Sequence, residues 1–133
     1  MIYYKKGYKY QLTRQYHIKL SFAPRYPFTT KWFSLGVDGV LAIHAGYAWD
    51  GATGARDAPE IMRASLVHDV LYQAMRLGLL DQAYRMKADE ELRKICLEAG
   101  MNPVKADIVF LAVQGFGGAH AIKGTEQQEE TAP

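Results

Sequence analysis

The chain has a single cysteine, Cys96, so no intrachain disulfide can form. That excludes a disulfide-stapled secreted mini-domain and fits folding in a reducing cytoplasm. Long apolar runs are also missing. The longest, Ile108 to Val113, is far too short to span a bilayer, so no transmembrane segment is expected. Lysines follow Met1-Ile2-Tyr3-Tyr4 where a signal peptide would need an apolar stretch. The expected location is therefore the cytoplasm of the cell that makes the protein, and export would need another route, such as lysis or incorporation into a particle. Acidic residues are absent until Asp38, and the net charge of +2 over 133 residues names no partner by itself. What remains, 49% hydrophobic and 23% charged, is the composition of one soluble domain long enough for a real core.

Apolar residues occupy even positions from Tyr8 to Phe22, with Lys9, Gln11, His17, Lys19 and Ser21 between them. A period of two predicts strand, either one long strand or two with a break near Arg14, ended by Pro24 and Pro27. Trp32 to Leu35 and Val40 to Ala45 form a second strand pair around the turn signal Gly36-Val37-Asp38-Gly39. Gly46 to Gly54 reads as a glycine-rich loop. A helix starts at Asp57 or Ala58 with Pro59 in its first turn and runs to about Leu77. It is apolar nearly all round, as a buried central helix is. Gly78 breaks it. Asp81 can cap a second helix that Gly100 closes, and Asn102 with Pro103 starts a third, ending near Gly115. The expected fold class is α+β: an N-terminal antiparallel sheet packed against a C-terminal antiparallel helical hairpin and a third helix. Residues 1–118 form the domain, and 119–133 a polar, disordered tail.

Titratable groups stand in the most apolar stretch: Ser65-Leu66-Val67-His68-Asp69-Val70-Leu71-Tyr72. Groups of that kind need partners inside a core. The short link through Gly78-Leu79-Leu80 makes the first two helices an antiparallel hairpin. Residues equally far from its turn then lie at equal height, so His68 faces Asp89 and Tyr72 faces Arg85. His68 and Tyr72 are four apart on one helix, as are Arg85 and Asp89 on the other, which keeps each pair on one face. Two stacked polar layers follow, with His68 donating a ring N–H to Asp89 and with Tyr72 and Arg85 supporting the carboxylate. A carboxylate behind a histidine fixes its tautomer and stabilises the imidazolium, and the other ring nitrogen can then take a proton from water or a hydroxyl.

Asp69 points about 100° away around the helix and serves a neighbouring site. Asp50, in the glycine-rich loop, is its natural companion. Two carboxylates with loop carbonyls at Gly51 or Thr53 suit Ca²⁺, which takes six to eight oxygens and could polarise a carbonyl. Another reading stands beside this one. A buried His-Asp-Tyr-Arg network can simply lock two helices together, with Asp50 capping a turn and Asp69 paired with Arg63 or Arg76. Similarly, the mix of Tyr and Lys/Arg before Asp38 suits either phosphates and bases or plain antiparallel strands with Tyr inward.

From about Tyr8 to Gly118 the chain resembles a family of short phage and prophage proteins of uncharacterised function. The resemblance rests on the loop Gly46 to Gly54, on Ala64-Ser65-Leu66-Val67-His68-Asp69-Val70-Leu71-Tyr72, and on Arg85-Met86-Lys87-Ala88-Asp89. Over residues 47 to 92 the pattern is also similar to the calcium-dependent secretory phospholipases, especially the short bacterial ones. That similarity implies Asp50 and Asp69 as calcium ligands, His68 as general base, Asp89 as its partner and Tyr72 as a brace for Asp89. The cysteines that staple those enzymes are missing here, so kinship of the helix pair is implied ahead of lipase activity.

Two classes of function follow. One is a phage-encoded, metal-dependent hydrolase, with catalytic His68, Asp89, Tyr72 and Arg85 and Ca²⁺ at Asp50 and Asp69, acting on phospholipid or another cell-envelope ester or amide. The alternative is a non-enzymatic virion (tail) or assembly protein that contacts other virion proteins and uses the same network structurally. Nucleic-acid binding through residues 3 to 31 is a third and weaker option.

Overall fold

The computed structural model describes residues 1–5, 10–50 and 58–120. The described residues divide into two compact units, one within residues 1–50 and the other within residues 58–120. The fold class is α+β: antiparallel sheets in the first unit and helices in the second, with the first two helices packed as a hairpin.

In the first unit the period-two segment is two strands, β2 (Tyr10–Leu12) and β3 (Tyr16–Lys19), which belong to different sheets. The chain breaks at Thr13-Arg14-Gln15, all exposed. Strand β2 lies between β1 (Tyr4–Lys5) and β7 (Ala48–Trp49). Part of the stretch expected to be a glycine-rich loop is thus a strand, its Ala48 paired with Gln11 and its Trp49 with Tyr10. The second sheet has the order β3, β6 (Val40–Ile43), β5 (Phe33–Leu35), β4 (Phe28–Thr29). Strands β5 and β6 are the expected pair. Their turn closes with Gly39 N–H on the Gly36 carbonyl at 3.0 Å. Gly39 has φ +83°, and a Cβ there would come within 2.9 Å of the Phe22 carbonyl oxygen, so glycine is required twice over. The alternation predicted from sequence sets the faces: Leu12, Tyr16 and Leu20 are buried, while His17 and Lys19 are exposed. Phe33 anchors this core, meeting Phe28 and Tyr47 edge-on at 6.2 and 6.1 Å between ring centres.

In the second unit, α1 (Pro59–Arg76) starts with Pro59 at its first position, where a missing N–H costs nothing. Gly78, at φ +76°, turns the chain after its last residues. Asp81 caps the next segment, but that segment is a single 3₁₀ turn (Gln82–Tyr84), with Ala83 N–H donating to Asp81 Oδ1 at 2.7 Å. Helix α2 (Arg85–Glu98) follows directly, and Gly100 closes it at φ +96°. Asn102 Oδ1 accepts from Val104 N–H at 2.8 Å to start α3 (Pro103–His120). Helix α3 continues past the expected end at Gly115. A glycine inside a helix costs only about 1 kcal/mol, which a helix of this apolar character can absorb. The tail beyond His120 lies outside the described residues. Helix α2 packs on both α1 and α3. Leu66, Val67, Val70, Leu71 and Met75 of α1 and Leu92, Ile95 and Cys96 of α2 are all buried. No helix among the described residues is long and apolar enough to cross a membrane.

Candidate functional site

Helix α1 carries His68 and Tyr72 one turn apart, and their rings lie against each other with centres 4.2 Å apart. Both reach one carboxylate on α2. His68 Nε2 is 2.6 Å from Asp89 Oδ1, and the Tyr72 hydroxyl donates to the same oxygen at 2.6 Å. The second oxygen, Oδ2, accepts from the amide of Gln114 on α3 at 2.6 Å. Asp89 is 0% exposed. Three helices therefore converge on one buried carboxylate, and each of its two oxygens is engaged.

Burial pushes the Asp89 carboxyl up, but the hydrogen bonds from His68 and Tyr72, the charge of His68 and the hydrogen bond from Gln114 outweigh it. The pKa is held below the ordinary 3.8. The carboxylate is therefore ionised near neutral pH and can only accept, which makes Nε2 of His68 the donor. In the neutral imidazole Nδ1 then carries the lone pair. Among the described residues Nδ1 has no hydrogen-bond partner, and the His68 side chain keeps 10% of its surface exposed. Tyr72 is its opposite in character. Burial, the bond to Asp89 and the Asp89 charge push its phenol far up, and the Arg85 charge only partly offsets them. Tyr72 is a donor locked in its protonated form.

The expected layers are shifted. Arg85 does not support the carboxylate: among the described residues the side chains that donate to Asp89 are His68, Tyr72 and Gln114. Helical side chains lean toward their own N-terminus. Tyr72 on α1 therefore leans away from the hairpin turn, toward the level of His68, while Asp89 on α2 leans toward the turn and meets it. Arg85, first residue of α2 and half-buried, leans further toward the turn. It reaches the site only through its charge at Tyr72. Arg63, considered as a partner for Asp69, lies 3.6 Å from Glu98.

Gln114 was not foreseen. Its signal in the sequence was a lone amide directly after the apolar run Ile108 to Val113.

Asp50 and Asp69 belong to different units. Asp50 is exposed after β7, and Asp69 is half-buried on α1. Among the described residues no three His, Cys, Asp or Glu side chains gather as a metal cradle. Two carboxylates alone fall short of the six to eight oxygens that Ca²⁺ takes. The loop carbonyls considered for the remainder, Gly51 and Thr53, lie outside the described residues.

No family model, curated protein or solved structure matches this chain.

Proposed function

We propose that the chain is a hydrolase of carbonyl esters or amides in which His68 is the general base. The observation that carries this reading is the division of labour within one ring. Nε2 is committed to the Asp89 carboxylate at 2.6 Å, while Nδ1 has no partner among the described residues and the side chain stays 10% exposed. In this role Nδ1 takes the proton of a water as its oxygen bonds to the scissile carbonyl carbon. The imidazolium that forms is stabilised by Asp89, and the same proton passes to the leaving oxygen or nitrogen as the tetrahedral intermediate collapses. Tyr72 and Gln114 position Asp89 and do not touch substrate. The substrate class follows the phospholipase-like sequence pattern of residues 47 to 92: phospholipid or another cell-envelope ester or amide. A Ca²⁺ ion, the cofactor that the resemblance implies, would when bound polarise the substrate carbonyl.

The test measures turnover of 4-nitrophenyl esters and of phosphatidylglycerol vesicles by wild type, His68→Ala and Asp89→Asn, each with and without Ca²⁺. Wild-type turnover should exceed that of His68→Ala by about 10²–10⁴-fold, the usual contribution of a positioned base. Equal background rates in wild type and His68→Ala would sink the hydrolase. Calorimetric titration with Ca²⁺, on wild type and Asp69→Asn, tests the metal separately.

A second reading is favoured by a different observation: Asp89 is wholly buried and takes donors from α1 and α3 at once. Such a network suits a lock between helices in a non-enzymatic virion or assembly protein. In that case His68→Ala changes stability alone, and the protein co-purifies with particles.

A further inference from the structure

The first unit carries a surface that the His68 chemistry does not use. Strand register places Thr29, Ser34, Ala42 and His17 in one row across the four-stranded sheet. This row lies opposite the buried face formed by Phe28, Leu35, Leu41 and Tyr16. Lys19 stands two residues beyond His17 on the same exposed face. The middle of the row is small, so the face is shallow. Its rim is basic and aromatic at one end. The tip of the β4–β5 hairpin is Lys31-Trp32, with the Lys31 ammonium 5.0 Å over the Trp32 ring. His44 fixes that tip: its backbone N–H donates to the Trp32 carbonyl at 2.8 Å, and its Nδ1–H to the Lys31 carbonyl at 2.9 Å.

At the same end, just before β3, the Arg14 guanidinium lies 4.0 Å over the ring of Tyr3. Strands β3 and β5, which these pairs adjoin, are two places apart in the sheet, about 10 Å between strand axes. Seven lysines and arginines stand against two aspartates over residues 1–50. One of those two, Asp38, is turned to the β5–β6 turn, its Oδ1 accepting from Val40 N–H at 3.1 Å while its carbonyl takes Lys19 Nζ at 2.6 Å.

We propose that this end and face of the sheet bind single-stranded nucleic acid. Every base has a face that can stack on an aromatic ring, and every phosphate can take a cation, so paired rings and cations bind a strand without reading its sequence. Tyr3 and Trp32 are the stacking platforms. Arg14 and Lys31 swing from their rings to phosphates as bases replace them, and Lys19 continues the track along β3. Charge complementarity selects a polyanion, and the two platforms select one with exposed bases over a flat lipid surface or a duplex.

The test uses the full chain and a fluorescein-labelled (dT)20 oligonucleotide in an anisotropy titration, with tryptophan emission recorded in parallel. Binding should quench tryptophan emission. Three phosphate contacts predict a slope of log affinity against log salt near about −2. Trp32→Ala and Tyr3→Ala should each weaken binding roughly tenfold, within the range for loss of one stacked base, and Trp32→Phe should restore most of it. Lys19→Gln should flatten the salt slope by about 0.7. Circular dichroism on each variant separates loss of binding from loss of fold. Salt-dependent binding that Trp32→Ala leaves unchanged would mean charge attraction alone and would overturn the proposal. So would binding to phosphatidylglycerol vesicles without binding to the oligonucleotide, or equal affinity for duplex of the same length.

Discussion

Asp89 is the residue on which the helical unit turns. It is an ionised group with no exposed surface, and it is tolerable because it accepts three short hydrogen bonds, from His68, Tyr72 and Gln114. Removing any one donor leaves a lone pair of a buried anion unpaired. Tyr72→Phe and Gln114→Ala should each cost about 1–3 kcal/mol in urea denaturation at neutral pH. The pH dependence has a definite sign. The folded carboxyl titrates below its ordinary 3.8, so the folded state binds this proton more weakly than the unfolded chain does. Asp89 therefore contributes its stability in full above about pH 4 to 5 and loses it as pH falls through 3.8 toward the lower folded value. Each donor helps to hold that pKa down. Gln114→Ala should accordingly shift the midpoint of acid unfolding to higher pH, as followed by circular dichroism. An unchanged midpoint would mean that the Gln114 bond does not bear on the carboxylate in solution. Cys96, also fully buried, plays no such part: burial pushes its thiol up to about 11, leaving it an inert core residue.

At the scale of elements, the helix ends were the most legible features of the sequence. Pro59, Gly78, Gly100 and the Asn102-Pro103 pair all sit where their local physics puts them, because a fixed φ, a positive φ and a side-chain cap act within a few residues. Asn102→Ala removes the side-chain bond that starts α3 and should cost about 1 kcal/mol, measured by thermal melting against wild type. The loss should be visible at the Gln114 end of the helix as well, since α3 holds the amide that meets Asp89. Strands were less legible. Strands β1, β4 and β7 are two residues each, too short to show a period, and they exist because neighbouring strands offer them hydrogen bonds. The 3₁₀ turn before α2 is of the same kind: Asp81 signals a cap, and nothing local says that one tight turn precedes the helix.

At the scale of the whole molecule, two compact units each bury a core of their own. Leu41, at the centre of β6, and Leu66, in the middle of α1, are both 0% exposed. Truncating either to alanine should cost about 2–5 kcal/mol in chemical denaturation, the range for a buried leucine whose cavity cannot fully collapse. A loss under about 1 kcal/mol at Leu41 would mean that the first unit contributes little to the cooperative transition. The charge is divided between the units too. Acidic residues crowd into the second half, four of them on α2, while the charged residues among the first fifty are mostly basic. A net charge of +2 conceals this division, and a partner meeting the protein would encounter the division and not the total.

The sequence by itself determined what depends on near neighbours: the α+β class, the alternating faces of β3, the starts of α1 and α3, the glycine stops after α1 and α2, and the opposition of His68 and Asp89 across a hairpin. A period, a cap and a short connection are local quantities, and they suffice for these. Only the tertiary structure decided what depends on the third dimension. Tyr72 braces Asp89 as expected, but Arg85 does not, because helical side chains lean toward their N-termini, in opposite senses on antiparallel helices. Gln114 completes the carboxylate because α3 packs on α2, a contact between distant stretches that no spacing in the chain encodes. Register across four strands likewise set Thr29, Ser34 and Ala42 in one row with His17, a relation the one-dimensional order of residues does not contain.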